Sequence, residues 1–154
     1  MIILVDTNVL CRLCNSVKPT PSDALAARHA LETLRSRSHV LAIAPQNLYE
    51  FWATATRSTG RPPQGANGLG MTPLRADQWI AYFLRVFRLL NETDAVLPAW
   101  RTLVHTYGVA GYKSHDVRLV ATMQAHNITN LLTFNVADFK RIRGINVLNP
   151  LIIV

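Results

Sequence analysis

A chain of 154 residues, 49% of them apolar, with 16% charged residues and a mean hydropathy of +0.14, has the size of one domain and enough apolar material for a core, which excludes an intrinsically disordered protein. Sixteen basic residues face nine acidic ones for a formal charge of +7, and thirteen of the sixteen are arginine; the guanidinium fork donates two bonds to a phosphate at once, so the partners expected are nucleic acid or an acidic protein. No stretch reaches the ~20 apolar residues of a membrane span, and the apolar run from Met1 stops at Asp6, short of the roughly 7–15 residues of a signal peptide: a cytoplasmic protein with no membrane association is expected.

In chain order, Ile2-Ile3-Leu4-Val5 is a short β-rich run and reads as a buried strand. Asp6-Thr7-Asn8 then supplies helix-capping residues ahead of a helix carrying Leu10 and Leu13. That helix also holds Cys11 and Cys14 in a Cys-x-x-Cys spacing. Half a zinc site or a redox pair has this spacing, but there is no second cysteine pair and no two histidines at ligand spacing. The pair reads as two small apolar residues on one helix. Pro21-Ser22-Asp23 opens a second helix, with Ala24, Leu25, Ala27, Leu31 and Leu34 as its apolar stripe.

A second strand is expected over His39–Ala44, then a helix from Pro45 through Leu48, Phe51, Trp52 and Ala55. Residues Arg57–Thr72 hold four glycines and two prolines and read as a loop. Thr72-Pro73 starts a helix bearing Trp79, Ile80, Phe83 and Phe87. A short strand near Phe87–Leu90 and a helix over Ala95–Tyr107 follow. Ser114 is expected to cap a helix with Val117, Val120, Ala121 and Met123 inward. Strands are expected at Leu131–Phe134 and Ile145–Leu148. Strands alternating with helices argue a parallel sheet covered on both faces, in one domain spanning residues 1–154.

With only nine acids, each position can be weighed. Asp6 follows the first strand directly, where ligands bind in open parallel sheets; its plain alternative is a helix cap. Glu50 sits among Leu48, Tyr49, Phe51 and Trp52, not on an obviously wet face, with an ordinary exposed Glu as the alternative. Asp116 lies in the first turn of its helix, a placement that the helix dipole already favours. Asn135 and Asp138 follow a late strand. Carboxylates converging on one sheet edge repel each other unless a divalent cation neutralises them, and an all-oxygen set favours magnesium or manganese over zinc. Setting aside Asp6, Glu50, Asp116 and Asp138 leaves sixteen basic residues against five acids. An acidic metal pocket in a basic surface suits a nuclease. Arg57 and Arg61 beside the Gly-rich loop, and Lys113 just before Asp116, are candidate RNA contacts; for each the alternative is a solvated charge. His115 reads as a surface histidine.

Four segments then resemble, in order and spacing, the motifs of the PIN-domain family: Val5-Asp6-Thr7-Asn8-Val9-Leu10, Asn47-Leu48-Tyr49-Glu50-Phe51, Ser114-His115-Asp116-Val117-Arg118-Leu119-Val120 and Thr133-Phe134-Asn135-Val136-Ala137-Asp138-Phe139. The chain length is similar to that of the family's VapC-type toxins. The resemblance implies an α/β/α sandwich with a five-stranded parallel sheet and hydrolysis of RNA phosphodiesters with magnesium or manganese. It implies that Asp6, Glu50 and Asp116 are catalytic metal ligands supported by the Thr7 hydroxyl. The family's fourth acid commonly stands two residues after the Thr, and here that is Asn135, with Asp138 one helical turn on; either completes the ligand set. A homodimer and a small antitoxin protein, placing an arginine among the carboxylates, are implied as well.

A non-catalytic PIN-fold module that binds RNA or protein is the alternative, and Asn135 gives it weight. A haloacid-dehalogenase-type phosphatase would need an acid where Asn8 stands. A dinucleotide-binding module would need a Gly-x-Gly-x-x-Gly after the first strand, which is absent.

Overall fold

The computed structural model describes residues 1–14 and 21–154. Strand β1 (Ile2–Val5) pairs in parallel with β2 (Val40–Ile43) on one side and β4 (Asn130–Leu132) on the other; β3 (Arg88–Leu89) and β5 (Asn146–Leu148) form the edges, giving the order β3-β2-β1-β4-β5. Because successive strand residues face opposite ways, Ile3, Val5, Leu41, Ile43 and Leu132 point to one side of the sheet and Leu4, Ala42 and Leu131 to the other. Helices α1 (Thr7–Cys14), α2 (Pro21–Ser36), α3 (Pro45–Thr56) and α4 (Pro73–Val86) bury Val9, Leu31, Phe51 and Phe83 against the first side. Helices α5 (Val96–Tyr107), α6 (Lys113–Ala125) and α7 (Val136–Phe139) bury Leu103, Val120 and Phe139 against the second. The three-layer α/β/α sandwich with five parallel strands is the expected one.

The differences are local. The first and last strands begin where the apolar runs do, give or take a residue, but β4 ends at Leu132 rather than Phe134; the next side chain, Thr133, turns to Asp6. Ser114 does not cap α6: the helix starts at Lys113, and Ser114 lies inside its first turn with its N–H donated to the carbonyl of Gly111. The segment from Arg57 to Thr72 is a loop, as its glycines indicate, but a closed one. Gly68 N–H bonds to Ser58 O and Gly70 N–H to Arg57 O. A Cβ at Gly65 would stand 1.7 Å from Thr59 O, and one at Gly68 2.1 Å from Arg57 O, so these two glycines serve close backbone approach. Of the aromatic stripe on α4, Phe83 is fully buried, in edge contact with Phe51 at 5.0 Å between ring centres.

Among the described residues no helix is long and apolar enough to cross a membrane.

Candidate active site

The strand order reverses at β1: the chain proceeds outward through β2 and β3 and then returns to place β4 on the opposite side of β1. Such a switch point opens a crevice at the carboxyl ends of the two central strands. Asp6 stands there at the end of β1, its backbone N–H bonded to Leu132 O of β4. A cleft of about 900 Å³ opens at this position, and Asp6, Thr7, Asn8, Glu50, Arg57, Asp116 and Asn135 are among its lining residues.

Each carboxylate is held differently. Asp6 is buried, and its Oδ2 accepts bonds from the Thr133 hydroxyl at 2.6 Å and from Asn8 Nδ2 at 2.6 Å. Asn8 Nδ2 also reaches Thr133 Oγ1, and Asn8 Oδ1 accepts from Phe134 N–H, tying α1 to the segment after β4. Glu50 projects from α3 with both oxygens engaged: Oε2 by the Thr7 hydroxyl at 2.7 Å, Oε1 by Gln46 Nε2 at 2.6 Å. The fully buried Asn47 donates to Thr7 Oγ1 and accepts the Ala44 N–H at 2.7 Å, so the same side chain fixes the start of α3 and aims Thr7. Asp116 is half-buried in the first turn of α6.

Burial pushes the Asp6 carboxyl from an ordinary 3.8 up to about 6; the Thr133 bond opposes this and the Glu50 charge adds to it. Asp116 is likewise raised to about 6, first by burial and then by the charges of Asp6, Asp138 and Glu50, with Lys113 opposing. In both, burial leads and the neighbouring carboxylates add to it.

Not every residue singled out in the sequence arrives at the cleft. Asp138 does not line it; its Oδ1 lies 3.6 Å from Lys113 Nζ, so the two side chains compensate each other beside Asp116. Asn135 does line it. Arg57 reaches it, whereas Arg61 sits out on the loop. His115 is largely exposed, as a surface histidine should be, yet lines the cleft with Nδ1 3.9 Å from Glu50 Oε1. Cys11 also faces the cleft, and burial raises its thiol to about 12, which leaves it inert. Sequence reasoning passed over Asn8, Gln46, Asn47 and Thr133 as site residues. The one available signal was Thr133, a hydroxyl within an otherwise apolar late strand.

The donors suit a hard divalent cation, since they are carboxylate oxygens. They stand around the cleft rather than closing on one point, and among the described residues no three histidine, cysteine or acidic side chains are gathered tightly enough to enclose an ion alone. Magnesium keeps several waters and takes one or two carboxylates together with substrate phosphate, and that is a coordination such an open set can serve. A second cleft of about 450 Å³ between α1, α2 and α4 contains a single carboxylate, Glu32, and has no comparable convergence.

A family model described as the PIN domain matches residues 3–145. The chain belongs to the PIN-domain family. The PIN chain also shares its fold with solved structures. The VapBC2 assembly of Rickettsia felis bound to promoter DNA has a chain 20% identical, with a TM-score of 0.66 over 97% of this chain and 98% of that one. The DNA-bound VapBC of Salmonella typhimurium gives 18% identity and a TM-score of 0.66 over 97% and 98%. VapC20 of Mycobacterium tuberculosis, described as a toxin that cleaves the sarcin-ricin loop, gives 19% and 0.55 over 90% and 95%. No curated protein matches the PIN chain by sequence.

Proposed function

We propose that this PIN-domain protein is a magnesium- or manganese-dependent endoribonuclease of the cytoplasm and the toxin of a type II toxin–antitoxin pair. The observation that carries the reading is that Asp6, Glu50 and Asp116 line one cleft at the switch point of a basic protein, Asp6 and Asp116 being raised to about 6 by burial first and by neighbouring acids after it. Among the described residues no ion pair involves Asp6 or Asp116.

Asp6, Glu50 and Asp116 would hold the cations, with Asn135 at the rim. Bound divalent ions supply positive charge that favours both the attacking and the leaving oxygen of a phosphodiester. Thr133 and Asn8 fix the direction of Asp6, and Thr7 and Gln46 that of Glu50, so the carboxylates are oriented before substrate arrives. Arg57, at the cleft wall, holds a substrate phosphate. Arg12 also lines the cleft, but it is occupied by Asp23 at 3.3 Å and by the face of Phe134 at 4.2 Å and braces the wall.

RNA as substrate is supported by the described activity of the Mycobacterium tuberculosis relative, and an antitoxin partner by the VapBC assemblies that share the fold. A homodimer completes the reading. Asn135 in place of an acid favours the other reading, a PIN-fold binding module without activity.

The test is incubation of partner-free protein with a mixed RNA pool under magnesium, manganese or chelator, beside Asp6→Asn. Metal-dependent cleavage that the variant lacks is expected. Folded protein that binds RNA but leaves it intact with either metal would establish the binding module instead.

A further inference from the structure

Gln46 is almost fully buried, at 3% exposure, and every hydrogen-bonding group of its carboxamide is engaged. Nε2 donates to Glu50 Oε1 at 2.6 Å and to the backbone carbonyl of His115 at 2.8 Å. Oε1 accepts from Arg118 Nη1 at 2.9 Å. The orientation of the amide is fixed by its partners: a guanidinium only donates, so it must face the oxygen, while a carboxylate and a carbonyl only accept and must face the nitrogen. Arg118 is itself anchored, Nη2 lying 2.9 Å from Glu92 Oε1.

The bonds join two helices that lie far apart in the chain. Glu50 and Gln46 are one turn apart on α3, whereas His115 and Arg118 are in the first turns of α6. The His115 carbonyl precedes Asp116 by one residue. One buried amide thus touches the side chain of one candidate ligand and the backbone beside another, and it does so from outside the cleft, since Gln46 is not among the lining residues. Packing alone would be served there by a leucine or methionine; a buried carboxamide with three polar partners is costly unless all of them are met.

We infer that Gln46, clamped by Arg118, is a positioning residue that sets the orientation of Glu50 and its separation from Asp116, and thereby the affinity of the site for a divalent cation. The inference rests on the proposed metal-dependent nuclease and deepens it.

The test is titration of the full chain with manganese by calorimetry, alongside thermal melts in chelator, for wild type, Gln46→Met, Arg118→Met and the double variant. Methionine keeps the shape of Gln46 and removes its donors. Manganese affinity is expected to fall by about tenfold or more in Gln46→Met, the range seen when partners of metal ligands are removed. Arg118→Met, which leaves the amide free to turn, is expected to lose less. The double variant is expected to be no worse than Gln46→Met, because both act through one amide. If Gln46→Met fails to fold, Arg118→Met, on a partly exposed side chain, carries the test alone. Variants that melt lower yet bind manganese as wild type does would overturn the inference and leave the nuclease standing. Wild-type protein that binds no manganese would overturn the inference, and the nuclease as well if it also leaves RNA intact with that metal.

Discussion

The Thr133 hydroxyl donates to Asp6 Oδ2 at 2.6 Å and joins the ends of β4 and β1 across the point where the strand order reverses. Thr133 is completely buried, and its oxygen also accepts from Asn8 Nδ2 at 2.9 Å and from Asn135 N–H at 3.0 Å. A single hydroxyl therefore orients the innermost carboxylate, the asparagine two residues beyond it and the backbone that presents Asn135 to the cleft.

Thr133→Val keeps the shape and removes all three bonds. Stability in urea is expected to fall by about 1–3 kcal/mol, the cost of leaving buried donors unmet, and Thr133→Ser should recover most of it. Equal stabilities for Val and Thr would show that these bonds contribute nothing net.

Asp6 gives a pH dependence whose sign follows from its raised carboxyl. Below its ordinary value of 3.8 it is protonated in both folded and unfolded chains and costs nothing; above about 6 it is ionised in both, and the folded chain bears the burial penalty. The metal-free protein thus loses stability as pH rises from about 4 to 6, by roughly 3 kcal/mol at most from this group. Asp6→Asn in chelator is expected to melt above wild type at pH 7.5, with the gap closing towards pH 5. Melting curves at a series of pH values check this; a variant less stable than wild type at pH 7.5 would contradict it.

Arg57 and Arg61 flank the same loop but differ in reach. Arg57→Ala is expected to raise KM for RNA several-fold with little change in kcat, and to lower the salt dependence of binding by a slope of about 0.7, one single-strand phosphate contact. Arg61→Ala should leave both unchanged. Steady-state cleavage at several salt concentrations separates the two.

Phe51 anchors the helix that carries Glu50. It is fully buried against Phe83, and Phe51→Ala should cost about 3–5 kcal/mol of stability. Tyr49→Ala, one helical position before Glu50 and 71% exposed, should change stability by less than about 0.5 kcal/mol. Denaturant titration of both variants measures the contrast.

The sheet was legible because its strands are short apolar runs separated by cap and turn residues, and the central position of β1 follows from its being apolar on both faces. Asp6, Glu50 and Asp116 could be singled out because the chain has so few acids. What escaped the sequence lies in side chains whose partners are far away in the chain. Gln46 is an ordinary first-turn residue until α6 delivers Arg118 and the His115 carbonyl. Lys113 stands apart from any acid but Asp116 in the sequence, and α7 brings Asp138 within 3.6 Å of it. Ser114 has the composition of a cap, but Tyr112 and Lys113 already begin the turn. Periodicity reports which face of an element is buried, not which polar groups meet across elements.

The sheet's strand order also has a consequence in time. Asp6 leaves the ribosome well before the hydroxyl that orients it, which belongs to residue 133, and the strand beside β1 at the switch point is made only after α6. A growing chain that has not reached β4 has one wall of the cleft missing and its innermost carboxylate undirected. The site is therefore complete only once residue 133 has been made, and a nascent chain that stops short of β4 carries its acids without the frame that directs them.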